Sequence, residues 1–315
     1  MSGSSKPRNS SPNNVPRLLS HATSSQESHD ERVTAVKDNI IESGDHLGIS
    51  VKEQLALLDA FSHLELGQFL LKHHGLNAHW THNVIAHRPT HYINSLEEII
   101  YTQLPNVLAT RERFGIFQRL LQELLRPDAV MVSVPCGVMA DLLLLDYTRH
   151  RDVKLIGIDL DKQALEEAYK LASQQGLENQ ISLVLTDAWT IDLAVQADVI
   201  TSNGLNVYEQ DDDKVTELYR VFYSGLKPGG TLITSFMTPP PTLSQDSPWI
   251  NTNPKLLALQ YVLFSRIIGA TWTAFRTHQK TQSQLEQAGF TDIQFINDHM
   301  HMYPTVIANK PFWTE

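Results

Sequence analysis

Two carboxylates, Asp159 and Asp161, close a short apolar run, Val153 to Ile158, and stand roughly 20 residues beyond Gly137, the spacing at which an acid meets the hydroxyls of a bound ribose. Gly137 matters because only glycine lets backbone approach a ligand closely or take a positive φ without a Cβ clash. The elements that must hold these residues are legible around them. Val130 to Val134 is a short β-branched run of the kind that forms a strand covered on both faces. Pro135, Cys136 and Gly137 turn the chain, Val138 to Tyr147 has a helical pattern, and Val153 to Ile158 returns as a second strand. This is a βαβ unit of the length a nucleotide site requires.

Further strand tips follow in series. Ile181 to Leu185 ends in Thr186, Asp187, Ala188 and Trp189, and Ala197 to Thr201 ends in Ser202, Asn203 and Gly204. Lys227, Pro228, Gly229 and Gly230 turn into a fifth strand, Thr231 to Phe236, and a Leu-Glu-Gln-Ala-Gly-Phe stretch at 285–290 precedes a last strand at 305–310. This ordered set resembles the class I S-adenosylmethionine-dependent methyltransferases over roughly residues 110–238 and 281–310. The resemblance implies an α/β, Rossmann-like fold, with a mostly parallel seven-stranded sheet, helices on both faces and a helical N-terminal region. It implies S-adenosyl-L-methionine as cofactor and transfer of its methyl group to an acceptor.

By the same resemblance, Pro135, Cys136 and Gly137 form the cofactor loop and Asp159 takes the ribose hydroxyls. Leu160 lies on the adenine face, Asp187 accepts from the adenine amino group, and the Ala188 backbone meets the ring. Asn203 faces cofactor and substrate, with Asn206 and Tyr208 close behind. Removing Asp159 is expected to weaken cofactor binding and leave the stability of the free protein nearly unchanged. The family's opening pattern of an acid and three spaced glycines is broken here: Ser133 stands for the acid, Pro135 for the first glycine and Met139 for the last. Asp141, in the first turn of the following helix, could restore the carboxylate, or could merely complement the helix dipole. Cys136, the only cysteine, reads as a packing residue.

Methyl transfer asks little of side chains beyond alignment and exclusion of water. Where the acceptor needs a base, His278, Tyr208 and His82 are the candidates, and the catalytic set is Asn203, Tyr208 and His278. Six histidines lie between His73 and His91, with His79 and His82 at a chelating spacing. No cysteine or carboxylate accompanies them in a structural-metal pattern, so no metal is expected. Trp80 and its neighbours, His87 and Tyr92 among them, suit an aromatic wall or ordinary loop packing.

Composition fits one catalytic domain with attachments. The chain has 315 residues, 42% hydrophobic, and a net charge of -10, which argues against a nucleic-acid partner. One cysteine and no apolar signal core or membrane span point to a cytoplasmic protein. Residues 1–30, rich in Ser, Pro and Asn, are expected to be a disordered tail, 31–126 a helical cap, and 127–315 the catalytic domain with a helical insertion at 239–280. In the cap, Val51 to Phe69 reads as one amphipathic helix, Ser95 as the cap of another, and a third opens at Thr110 to Arg113. The insertion carries an apolar helix, Lys255 to Trp272, that could roof a cleft over a small-molecule acceptor or pack a homodimer. Three functions remain open: a methyltransferase for a small or medium-sized acceptor, a scaffold that has lost its cofactor, and a cofactor-dependent enzyme of other chemistry.

Overall fold

The computed structural model describes residues 28–86, 89, 91–150, 152–193, 196–270 and 274–312. The expected tail falls almost wholly outside the described residues, as do His87 and Trp272. A helix starts at His29, inside the expected tail, because Ser28 and Glu31 form a reciprocal capping box.

Seven strands build the core: β1 (Val130–Ser133), β2 (Lys154–Asp159), β3 (Ile181–Leu185), β4 (Ala197–Ser202), β5 (Leu226–Ser235), β6 (Thr291–Ile296) and β7 (Thr305–Asn309). They lie in the order β3-β2-β1-β4-β5-β7-β6, parallel except for β7, which runs antiparallel to both neighbours. The strand order reverses between β1 and β4, and such a reversal opens a crevice at the carboxyl ends of the strands.

Helices cover both faces. On one, α6 (Pro105–Glu123), α7 (Ala140–Leu143) and α8 (Lys162–Gln174) bring Phe117, Leu121, Leu142, Ala168 and Ala172 against Met131, Leu155 and Val199. On the other, α9 (Asp212–Gly225) and α11 (His278–Gln287) pack Leu218, Phe222 and Leu285 onto Val132, Ile200 and Leu232. The helix expected over Val138 to Tyr147 shrinks to the single turn α7. Met139 precedes it at φ 60°, a left-handed residue that starts no longer helix, and Leu144 ends it.

The cap has its own core. α1 (His29–Ser43), α2 (Val51–Ser62), α3 (Glu65–His73), α4 (Ala78–Ala86) and α5 (Ser95–Thr102) bury Ile40, Phe61, Leu70 and Ile100 with Leu263 and Ile267 of the insertion. The helix expected from Val51 to Phe69 breaks at His63 and Leu64. The chain then folds back so tightly that a Cβ on Gly67 would lie 1.8 Å from the Phe61 carbonyl oxygen. The cap of α5 is Asn94, not Ser95, since Asn94 Oδ1 accepts the Glu97 N–H at 2.9 Å. α6 begins at Pro105, five residues before the expected opening.

In the insertion, α10 (Pro254–Tyr261) continues as a π-helix, Val262–Ile268, that stops at Gly269 with φ 71°. A π segment spends an extra residue per turn, which redirects the side chains after it. Its end is tied to the N-terminal helices: the Ile268 carbonyl lies 2.6 Å from His74 Nδ1 and accepts from Arg32 Nη2 at 3.4 Å. Arg266 Nη1 donates to the Gly44 carbonyl.

Candidate functional site

A cavity of about 550 Å³ lies between the carboxyl tips of β1, β2 and β4 and the cap helices. Its floor at one end is the turn after β1. The Val134–Pro135 bond is cis, and Gly137 follows at φ 52°. A Cβ on Gly137 would have Ala78 of α4 as its nearest neighbour, at 3.7 Å, so the loop backbone faces the cavity unobstructed. Met139 does not plug the site. Its side chain is fully buried under the sheet and touches the space beside Gly157, while its backbone takes the left-handed turn that a glycine would supply.

Asp159 fastens this loop. Its Oδ2 accepts the Gly137 N–H at 2.8 Å and its Oδ1 accepts the Asp161 N–H at 2.9 Å. Burial holds its carboxyl above the usual range. Each oxygen accepts one of these N–H groups and has a second lone pair, and the residue lines the cavity, so the group can accept hydroxyls there while it braces the turn. The expectation that its removal would spare stability is thereby corrected, because two backbone donors depend on it. Leu160 lies exposed on the same wall, and Asp161 caps α8 by accepting the Gln163 N–H.

Asp141 fills the gap left by the broken motif. It is buried on the cavity wall, and Ser133 Oγ, at the tip of β1 where the family places its acid, donates to its two oxygens at 2.9 and 3.1 Å. The carboxylate missing from position 133 is thus returned to the same point through space. Burial pushes the Asp141 carboxyl up to about 6, against the pull of the Ser133 hydroxyl. Cys136 also lines the loop, with its thiol pushed well up by burial and by the neighbouring Asp159 and Asp141, which suits packing and not attack.

The far end of the cavity is built from β4 and β5 tips and α6. Asn203 lines it, with Ser235 Oγ 3.5 Å from its Oδ1, and Gly204 turns away at φ 88°. Tyr208 lines it too, its phenol pushed up by burial, so that it stays protonated and can donate a hydrogen bond but not act as a base. Its expected role as a base is corrected on that ground. Arg113 reaches in from α6, buried, with Nη1 on Ser235 Oγ at 3.3 Å and its guanidinium 4.8 Å from the centre of the Tyr303 ring. Behind Tyr303, buried Asp298 accepts the N–H groups of Met300, Met302 and Tyr303 at 2.6 to 3.3 Å. That network holds the Tyr303 loop against the site.

Four expected residues, His278, Asp187, Ala188 and Asn206, are not among those lining the cavity. His278 sits at the start of α11, where it meets Phe236 and Phe295 edge to face and pairs with Asn297 at 3.0 Å, off the cavity wall. Asp187 spends its Oδ1 on the Trp189 N–H at 3.0 Å, capping the short 3-10 turn Ala188–Thr190, and Ala188 is buried in the core. Neither lines the cavity as it stands. Asn206 turns inward to Tyr219, and its loop is clamped by buried Arg276, which donates to the Asn206 and Glu209 carbonyls and pairs with Asp212. His79 and His82 do not share a site: His79 pairs with Glu167 of α8 at 3.2 Å, whereas His82 faces the cavity. Arg113 and Tyr303 join the site without any motif that singles them out.

Residues 134–230 match the methyltransferase domain family. No curated protein matches the chain. A crystal structure of a possible exported protein from Bordetella parapertussis shares 48% identity, covering 90% of this chain and 97% of that one with a TM-score of 0.86. More distantly the chain is similar to the N-methyltransferase NodS from Bradyrhizobium japonicum, in complex with S-adenosyl-L-homocysteine, at 14% identity over 67% of this chain and 90% of that one, TM-score 0.46. It is similar also to magnesium protoporphyrin IX methyltransferase from Synechocystis, at 13% over 73% and 92%, TM-score 0.49. At that distance neither substrate carries over. The chain belongs to one family with the Bordetella protein, and its residues 134–230 form a methyltransferase domain.

Proposed function

We propose that the protein transfers a methyl group from S-adenosyl-L-methionine to a small or medium-sized acceptor held under the helical cap. One observation carries this reading: Gly137, Asp141 and Asp159 at the β1 and β2 tips share one cavity with Asn203 and Tyr208 at the β4 tip. The residues at the first end fit the cofactor. Among the described residues no cation pairs with the buried Asp141 carboxylate, which beside the bare backbone at Gly137 suits an ammonium and sulfonium ligand, and Asp159 keeps lone pairs for ribose hydroxyls. Leu160 offers an apolar face for the adenine. The cofactor supplies an electrophilic methyl group together with its own leaving group. The chain supplies alignment and dryness: apolar side chains of the cap exclude water, and Asn203 and Tyr208 orient the acceptor. His82, the imidazole on the wall, holds the proton of a hydroxyl or amine acceptor.

Calorimetric titration with S-adenosylhomocysteine and S-adenosylmethionine tests the reading. Binding in the micromolar range is expected, and no binding of either would refute it. Among the described residues no helix is long and apolar enough to cross a membrane. A cytoplasmic place of action belongs to the proposal and is checked by cell fractionation, since the Bordetella relative is described as a possible exported protein.

A further inference from the structure

Arg113 is a charge in an apolar wall. The side chain is 8% exposed, and among the described residues no carboxylate lies within ion-pair reach of it. Its Nε is buried without a hydrogen-bond partner, and Ser235 Oγ accepts from Nη1 at a long 3.3 Å. A guanidinium has five N–H donors in a planar fork, so most of this one's capacity is unspent. Asp298 acts on it only through space, because its oxygens already serve three backbone N–H groups. An unpaired buried charge is costly to a fold and persists where a ligand completes it.

Its position says what ligand. The guanidinium lies beside Gly204, 3.7 Å from where a Cβ would project, with the Tyr303 ring beneath it and Tyr208 close enough to act on its charge. Around it the cavity is lined by Val107, Phe114, Leu205 and Met237. We propose that Arg113 receives a carboxylate carried by the acceptor, which makes the substrate a small organic acid with an apolar body. This rests on the methyl-transfer reading. The cofactor's own carboxylate is the rival occupant. Asp141 lies at the β1 tip with Ser133, and the guanidinium is held at the β5 tip by Ser235, with β4 between them. The apolar wall on the Arg113 side suits an acid with an apolar body better than the polar amino-acid head of the cofactor.

The test is calorimetry on the full chain with three matched acid and amide pairs: phenylacetate, 3-phenylpropanoate and cinnamate, each against its primary amide. It is run with wild type, Arg113→Gln and Arg113→Lys, with and without S-adenosylhomocysteine. At least one acid is expected to bind wild type about tenfold or more tightly than its amide, as a charge-assisted fork allows. Arg113→Gln abolishes that preference and Arg113→Lys keeps part of it, while affinities for S-adenosylhomocysteine and 5′-methylthioadenosine stay level. No preference for any acid over its amide overturns the proposal, whether the cause is equal or absent binding. It is overturned equally if Arg113→Gln weakens S-adenosylhomocysteine but not 5′-methylthioadenosine, which lacks the carboxylate. Should Arg113→Gln fail to fold, the wild-type pairs and Arg113→Lys decide. Acid preference without any S-adenosylhomocysteine binding would refute the methyl-transfer reading and leave the carboxylate receptor standing.

Discussion

Replacing Asp141 by Asn should make the free protein more stable and its cofactor site worse. The Asp141 carboxyl is raised from 3.8 to about 6, chiefly by burial, so ionising it in the fold costs about 3 kcal/mol at roughly 1.4 kcal/mol per pKa unit. The sign follows from which state holds the proton. Below pH 3.8 folded and unfolded chains both carry it and Asp141 costs nothing. As pH rises the unfolded chain loses its proton first, stability falls, and the full cost is present above pH 6. An amide cannot ionise, and its carbonyl can still accept from Ser133 Oγ. Urea unfolding of wild type and Asp141→Asn at pH 7.5 and at pH 4.5 is the assay. The variant should gain roughly 1 to 3 kcal/mol at the higher pH and much less at the lower. S-adenosylmethionine affinity should fall about tenfold, and in wild type should rise with pH through 6, where the carboxylate becomes available to a cation. A variant that is less stable at pH 7.5, or whose gain is the same at both pH values, would refute the argument that this acid is a buried charge kept for a ligand.

Asp159→Ala should lower cofactor affinity and also cost about 1 to 3 kcal/mol in urea unfolding, because the Gly137 and Asp161 N–H groups lose their acceptor. Met139→Gly relieves a left-handed residue worth about 1 to 2 kcal/mol but forfeits a fully buried side chain worth about 2 to 5, so thermal denaturation should show a net loss. His278→Ala should leave methyl transfer intact once an acceptor is in hand, whereas His82→Ala should slow it about tenfold or more; the reverse pattern would place the base at α11.

The sheet was legible from β-branched runs ended by acids and glycines, because a strand buried on both faces leaves a continuous apolar signature. Its neighbours were harder where tertiary contact overrides local pattern. The helix read through Val51 to Phe69 bends because Gly67 permits a backbone approach that no periodicity registers. The helix read through Lys255 to Trp272 widens into a π segment, whose apolar content is the same as that of an α-helix. At the site, Asp159 and Gly137 were found by spacing, and Asp141 could be suspected because Ser133 left an acid wanting. Motif order does not reveal that the Asp187 carboxylate also caps the next turn through one of its oxygens. Arg113 looked like one more charge on an amphipathic helix, and only closure of the Tyr303 loop over α6 turns it inward.

His74 and Ile268, whose contact closes the roof of the cavity, are 194 residues apart in the chain. During synthesis the apolar flanks of α1 to α4 therefore emerge from the ribosome long before the segment that covers them. The nascent protein must keep that surface from sticking to itself while the entire sheet is laid down. A chain truncated before the insertion would finish with greasy helices and no ceiling, and should be found with chaperones or in inclusion bodies.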